Sequence, residues 1–151
     1  MSRSVSSLGE WALWLNLAST FFMAGLIWFV QVVHYPLMSA IGTTKFAGYH
    51  ALHTRWTGLV VVPPMLLEAA TTIYLVWPSC PGVDRLTAFT GLVLVALIWI
   101  STFALQVPCH ERLADGFDAQ VHRRLVRSNW LRTVSWSARA ALVLTMVAGA
   151  R

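Results

Sequence analysis

Four long apolar runs, separated by shorter stretches that contain most of the polar residues, make up most of the chain. They lie at about residues 11–35, 56–77, 86–107 and 129–150. Each has about the 20 residues that a helix needs to cross about 30 Å of hydrocarbon. The alternating ten-residue segments of a membrane β-barrel are absent. The pattern predicts an all-α integral membrane protein, a single domain over residues 1–151 folded as an antiparallel bundle of four transmembrane helices.

Two of the connecting segments also have helical periodicity. Apolar and aromatic residues recur there every three or four positions, which is typical of one face of a helix. They are Phe46, His50 and His53 in the first segment and Leu113, Phe117, Val121 and Leu125 in the second. The sequence therefore predicts two short amphipathic helices that lie at the membrane interface. His122, one position after Val121, is expected to point away from the apolar face, towards solvent.

The first and third apolar runs end alike, in Gln-Val followed closely by a proline. Because a proline disfavours helical backbone in the residue before it, Pro36 and Pro108 are expected to end these two helices. The similarity also suggests that the chain is a duplicated two-helix hairpin. Pro63 and Pro64, inside the second run, are expected to bend or loosen that helix.

Composition supports a membrane location, and the charge distribution predicts an orientation. The chain is 57% hydrophobic and 11% charged, whereas a soluble domain has about 25% charged residues. The net charge of +5 is spread unevenly, because the connections after the first and third runs carry more Lys and Arg than the opposite side. The residues on the richer side are Lys45, Arg55, Arg112, Arg123, Arg124 and Arg127, and those on the other side are Arg3, Arg85 and Arg151.

By the positive-inside rule, this asymmetry predicts a multi-pass protein with both termini outside, in the inner (cytoplasmic) membrane if the source is bacterial. The lipid bilayer is then the main partner. Nucleic acid is not expected, because the membrane orientation already explains the positive charge. The sequence leaves open whether the chain forms a homo-oligomer.

Two charged residues fall deep inside apolar runs. Glu68 lies about 20 Å along the second run and Arg139 about 15 Å along the fourth, both counted from the same membrane face. Unpaired charges at that depth are costly. The sequence therefore predicts a structural buried pair, Glu68 and Arg139, that locks two helices together. The alternative is that Glu68 handles protons.

A polar layer gathers where the helices reach the inside face. It contains four histidines (His34, His50, His53 and His110) and, at the same level, Gln31, Gln106, Asn129 and Arg132. Neutral imidazoles bind zinc, copper, iron and haem, so the four histidines are candidate ligands of a transition metal or haem, although their spacing matches no specific metal motif. The candidate catalytic residues are His34, His110, Asn129 and Arg132. The alternative is that interfacial histidines only anchor helix ends at the headgroups.

Two short motifs resemble the anthrone oxygenase-like family, small four-helix membrane proteins mostly of unknown function. The motifs are Val107-Pro108-x-x-Glu111-Arg112-Leu113-Ala114 and Asn129-Trp130-x-Arg132-Thr133, and Pro36-Leu37 resembles the family's Pro-x-Leu. The resemblance implies oxidation of a polycyclic phenolic substrate, with Asn129, Arg132 and the end of the third helix near the site.

The leading functional prediction is a membrane oxidoreductase or oxygenase. It would act on an apolar aromatic or quinone-like substrate at a His-rich pocket near the cytoplasmic face. Two other functions stay open: a non-catalytic accessory or scaffolding subunit, and a small proton-coupled transporter that uses Glu68. No Walker loop, dinucleotide-binding motif or HExxH motif occurs in the sequence.

Overall fold

A computed structural model describes residues 7–76 and 83–150, and all regular structure in these residues is helical. The helices are α1 (Ser7–Phe29), α2 (Tyr35–Met38), α3 (Thr43–Val76), α4 (Arg85–Ser101), α5 (Val107–Ala114) and α6 (Ala119–Gly149). A π-helical turn, Val30–His34, joins α1 to α2, and a second one, Thr102–Gln106, joins α4 to α5. Both chain ends and residue 77, the expected end of the second run, lie outside the described residues.

The helices pack as a ring in which α1 and α4 each contact both α3 and α6. Consecutive long helices joined by short connections run antiparallel, so the predicted helical bundle is confirmed. Among the described residues, three helical stretches are long and apolar enough to cross a membrane: Ser7–Met38, Thr43–Val76 and Arg85–Ala114. The fourth, α6, is as long but carries five arginines in its sequence.

The outer surface of α3 shows the face that a membrane would cover. Leu59, Leu66 and Ile73 recur every seven residues along it and are 61%, 54% and 58% exposed. Contiguous apolar surface of this kind is unfavourable in water. In a bilayer the same side chains contact lipid at no such cost.

The two predicted interfacial helices do not form separate elements. The first predicted segment is the beginning of α3, which runs without interruption from Thr43 to Val76, through Pro63 and Pro64. The second is divided between the end of α5, a turn at Gly116, and the start of α6. The apolar faces of both segments are covered by protein, because Phe46, Leu113 and Leu125 are fully buried in the bundle core.

Pro36 and Pro108 do not end their helices, because a π turn comes before each of them. A proline has no N–H to donate, and its ring clashes with the carbonyl four residues earlier. Just before each proline, the backbone bonds skip one residue: the Tyr35 N–H bonds to the Val30 carbonyl, and the Val107 N–H bonds to the Thr102 carbonyl. The helical path therefore continues to Met38 and Ala114, beyond the predicted ends.

Asp118 fixes the point at which α6 begins. Its Oδ1 accepts hydrogen bonds from the backbone N–H groups of Gln120 at 2.7 Å and Val121 at 3.0 Å. These bonds favour the carboxylate form and hold the pKa of Asp118 below its usual value. The cap satisfies N–H groups that have no partner inside the helix, and α6 starts ten residues before the predicted transmembrane run.

Candidate functional site

The four predicted histidines come together at one end of the bundle. Nε2 of His34 lies 2.8 Å from Nδ1 of His53, and Nε2 of His50 lies 3.1 Å from Nδ1 of His110. The two pairs are neighbours, since the ring centroids of His53 and His110 are 5.6 Å apart. Four imidazoles contributed by the first π turn, α3 and α5 thus form one group, which we call the histidine cluster.

Hydroxyl groups extend the histidine cluster on both sides. The Tyr35 hydroxyl lies 3.2 Å from Nε2 of His110, so both nitrogens of His110 have partners. The Thr57 hydroxyl lies 3.0 Å from Nδ1 of His53. His53 thus uses Nδ1 for both of its hydrogen bonds, and Nε2 takes part in neither. The result is two neighbouring hydrogen-bonded chains whose groups can both donate and accept protons: His34, His53 and Thr57 form one, and His50, His110 and Tyr35 form the other.

A cavity of ≈110 Å³ lies against the histidine cluster and is lined by residues of α1, α2, α3, α5, α6 and both π turns. The lining contains both apolar and polar side chains. The apolar residues are Met23, Leu26, Ile27, Val30, Val61 and Val107, and the polar ones are Tyr35, His53, Thr57, Thr102, Gln106, His110 and Arg132. Both π turns contribute to the lining, and π turns occur frequently at functional sites. An apolar body with a few convergent polar groups is typical of a small-molecule site.

Arg132 is the charged group of this cavity. Its side chain is buried, 7% exposed, and Nε has no hydrogen-bond partner. Nη1 donates to Oδ1 of Asn129 at 3.2 Å, and the guanidinium lies over the ring of Trp136, 5.1 Å from its centroid. In the described part of the chain, the one ion pair joins Arg139 to Glu68, so no carboxylate compensates Arg132. A buried cation with a free donor favours a ligand that brings an electron-rich oxygen.

Two of the predicted catalytic residues stand behind the cavity wall. Asn129 is fully buried and donates to Oε1 of Gln31 at 2.9 Å while it accepts from Arg132; it therefore holds the guanidinium in place. His34 contacts His53 and is not part of the cavity lining. His110 and Arg132 do line the cavity, together with Tyr35, which is not among the predicted site residues. Tyr35 lies four residues after Gln31, on the same helical face. This spacing is the sequence feature that could have indicated Tyr35 as a site residue.

The predicted metal or haem ligands do not have the geometry of a metal centre. In residues 7–76 and 83–150, no group of three or more His, Cys, Asp or Glu side chains is arranged to hold a metal ion. The ring nitrogens face each other in pairs and bond to hydroxyls, instead of converging on one point. The arrangement fits the transfer of protons between neighbouring groups.

His122 contradicts the prediction that it faces solvent. It is 7% exposed, and its Nε2 lies 2.7 Å from the backbone oxygen of Tyr35. Because α2 ends at Met38 and the Ser39 N–H bonds to the Pro36 and Leu37 carbonyls, the Tyr35 carbonyl has no partner in its own helix. His122 supplies that partner and ties α6 to the residue that faces His110.

Deeper in the bundle, the structure brings together the predicted pair Glu68 and Arg139. Arg139 Nε donates to Glu68 Oε1 at 3.1 Å, and both side chains are almost fully buried. Thr20 also donates to Oε1 at 2.8 Å, and Trp136 donates to Oε2 at 2.9 Å. With partners on both carboxylate oxygens, Glu68 has the environment of a structural group.

Arg139 is held as completely as Glu68. Its Nη2 donates to the Asn16 side-chain oxygen at 3.0 Å and to the Thr72 hydroxyl at 2.9 Å. On the other side it passes Gly91, where an added Cβ would lie 2.7 Å from Nη1. The glycine on α4 leaves the space that the guanidinium occupies. We call Asn16, Thr20, Glu68, Thr72, Trp136 and Arg139 the deep network.

Comparison of the chain with models of protein families, with characterised proteins and with solved structures gave no match. The resemblance to the anthrone oxygenase-like family therefore stays a prediction that rests on the two motifs and Pro36-Leu37.

Proposed function

We propose that this protein is a membrane oxidoreductase that oxidises a small apolar hydroquinone in the cavity beside the histidine cluster. The observation that carries the proposal is the position of Arg132. Arg132, whose Nε has no hydrogen-bond partner, lines the same cavity as the hydrogen-bonded imidazoles of His53 and His110, and the remaining lining is mainly apolar. A phenolic substrate matches both kinds of lining residue, since it has an apolar ring and an oxygen that becomes negative when it loses its proton.

In the proposed mechanism, the histidine cluster removes the phenolic proton. His53 Nε2, or His110 through the Tyr35 hydroxyl, accepts the proton and passes it along its own hydrogen-bonded chain. Arg132 stabilises the phenolate, because a fixed donor aimed at developing charge lowers the barrier. A phenolate gives up electrons more readily than a phenol. Dioxygen, which dissolves in the bilayer, is the electron acceptor in this proposal. A hydroquinone and dioxygen then give a quinone and hydrogen peroxide.

A groove at the side of the bundle lies next to this cavity, and we propose it as the entry for an apolar substrate. A groove of ≈480 Å³ between α3 and α5 is lined by His50, Ala51, Thr54, Val107, His110, Glu111 and Ala114. It shares Val107 and His110 with the cavity. In the proposed function, substrate enters through this groove and meets His110 first.

A light-activated quinone tests where the substrate binds. A small azidoquinone, irradiated with the purified protein in lipid nanodiscs, is expected to label peptides containing residues 23–30, 53–61 and 102–110, and excess unlabelled quinone should prevent this. Val61→Trp, which fills the cavity, should lose the competable label, because well-packed interiors have no room for both. Label confined to lipid-facing residues, or retained in a folded Val61→Trp variant, would contradict the proposed site.

We also propose that α6 crosses the membrane as the fourth transmembrane helix, with both termini outside and the histidine cluster on the cytoplasmic side. The Lys/Arg distribution supports this orientation. A reporter active only in the cytoplasm should work when inserted between Ser39 and Gly42 and be silent when fused after Arg151. The reverse pattern would place the cluster on the opposite face.

A further inference from the structure

A second polar site lies on the surface of α6, outside the cavity and the deep network. A groove of ≈330 Å³ is lined by Arg123, Arg124 and Arg127, with Gln120 and Ser128 completing it. All three arginines are exposed, and no acidic residue lines the groove. In the described residues, none of these guanidinium groups forms an ion pair, since the one ion pair found is that of the deep network.

With α6 crossing the membrane as proposed above, the groove lies at the depth of lipid headgroups. Arg127 precedes Arg139 by about 18 Å of helix at about 1.5 Å per residue. Arg139 belongs to the deep network, which the run lengths put near the midplane, and half of the hydrocarbon layer is about 15 Å. Arg127 therefore comes out of the hydrocarbon where the phosphates begin, with Arg123 and Arg124 farther along the same helix. Trp130, 44% exposed, lies one turn deeper, where interfacial tryptophans are common.

We propose that this groove binds the phosphate headgroup of an anionic phospholipid. Guanidinium groups match phosphate oxygens with two parallel hydrogen bonds each, which makes Arg the preferred residue for such contacts. Three neighbouring arginines with no acid among them attract a negative headgroup, and a neutral headgroup offers no equivalent net charge. The bilayer supplies this ligand at the depth of the groove, so a lipid is favoured over a phosphate free in solution.

Lipid titration of single variants tests the assignment. Phosphatidylglycerol, added to protein in neutral detergent, is expected to raise the melting temperature of the wild-type chain, because a ligand that binds the folded state stabilises it. Arg127→Gln should weaken the apparent affinity about tenfold, as expected for a lost hydrogen bond to a charged group. The matched control is Arg55→Gln, which removes an exposed arginine at a similar depth on α3 and should leave the affinity unchanged.

Three outcomes would overturn the proposal. They are an Arg127→Gln affinity equal to that of the wild type, an equal loss in Arg55→Gln, and an equal shift with phosphatidylcholine. Inorganic phosphate is tested in the same way as a further ligand. If it reproduces the shift at the same concentration, the groove binds free phosphate and the lipid assignment is wrong. Because Arg127 is exposed, circular dichroism of the variant should match that of the wild type, so that a change in affinity reports on binding.

Discussion

Replacement of Glu68 by leucine is expected to lower the free energy of unfolding by about 3–5 kcal/mol, because Arg139 would stay buried without its carboxylate. Two further donors, Thr20 and Trp136, would lose their acceptor at the same time. Arg139→Leu should cost a similar amount for the converse reason. The measurement is reversible unfolding in detergent, followed by circular dichroism.

The double variant separates an ion pair from two independent contacts. Glu68→Leu/Arg139→Leu should be more stable than either single variant, since it leaves no uncompensated charge in the bundle. Glu10→Leu, which removes an exposed carboxylate at the start of α1, is the control and should change stability by about 0.5 kcal/mol or less. Losses that simply add in the double variant would show that the two residues do not depend on each other.

The second large effect is expected at Arg132, the other buried arginine of α6. Arg132→Gln should lower kcat for hydroquinone oxidation by about 10²–10³, the usual loss when a donor to a developing oxyanion is removed. Its stability should change little, by about 1 kcal/mol, because the variant gives up one hydrogen bond to Asn129 and relieves a buried charge that has no carboxylate partner. Thermal unfolding and steady-state kinetics on the same preparations measure both quantities.

The variants of the two buried arginines are expected to differ in which property they change. Arg139 is paired, so its loss should destabilise the bundle; Arg132 is not, so its loss should impair the reaction in a bundle that is still folded. Arg112→Gln, an exposed change of the same kind on α5, should affect neither. If Arg132→Gln unfolded the protein as readily as Arg139→Leu, Arg132 would be a structural residue.

Much of this fold can be predicted from the lengths of the apolar runs and from how deep the charged residues lie within them. Runs of about 20 apolar residues specify helices that can cross a membrane, and the common depth of Glu68 and Arg139 places them face to face. The gathering of the four histidines has the same origin, because they all lie near the same ends of their helices. These arguments need no knowledge of how the helices pack.

The interfacial helices could not be predicted correctly, because periodicity does not reveal what covers an apolar face. Leu113 and Leu125 have the spacing of a helix on a membrane surface, and burial in a bundle core requires the same spacing. The core is what covers them here, since both are fully buried. Phe46 is another example, buried with its ring 5.1 Å from that of Phe117.

The lining of the cavity depends on the two π turns, and the hydrophobic pattern of the sequence does not reveal them. The rule for proline predicts a helix end, whereas the π turns let both helices continue past Pro36 and Pro108. The turns determine which residues of these segments face inward, and Tyr35 becomes part of the lining. His122 was missed for a related reason: the carbonyl that it contacts is free only because α2 is so short.

The oxidation rate of a hydroquinone tests the central claim most directly. Purified protein in lipid nanodiscs is mixed with 1,4-benzohydroquinone, a one-ring substrate, in air, and the absorbance of the quinone is followed after subtraction of the rate in empty nanodiscs. The proposed function predicts clear catalysis by the wild-type chain and by Arg112→Gln, with loss in Arg132→Gln and His110→Ala. A wild-type rate no faster than that of empty nanodiscs, or full activity in a folded Arg132→Gln variant, would contradict it.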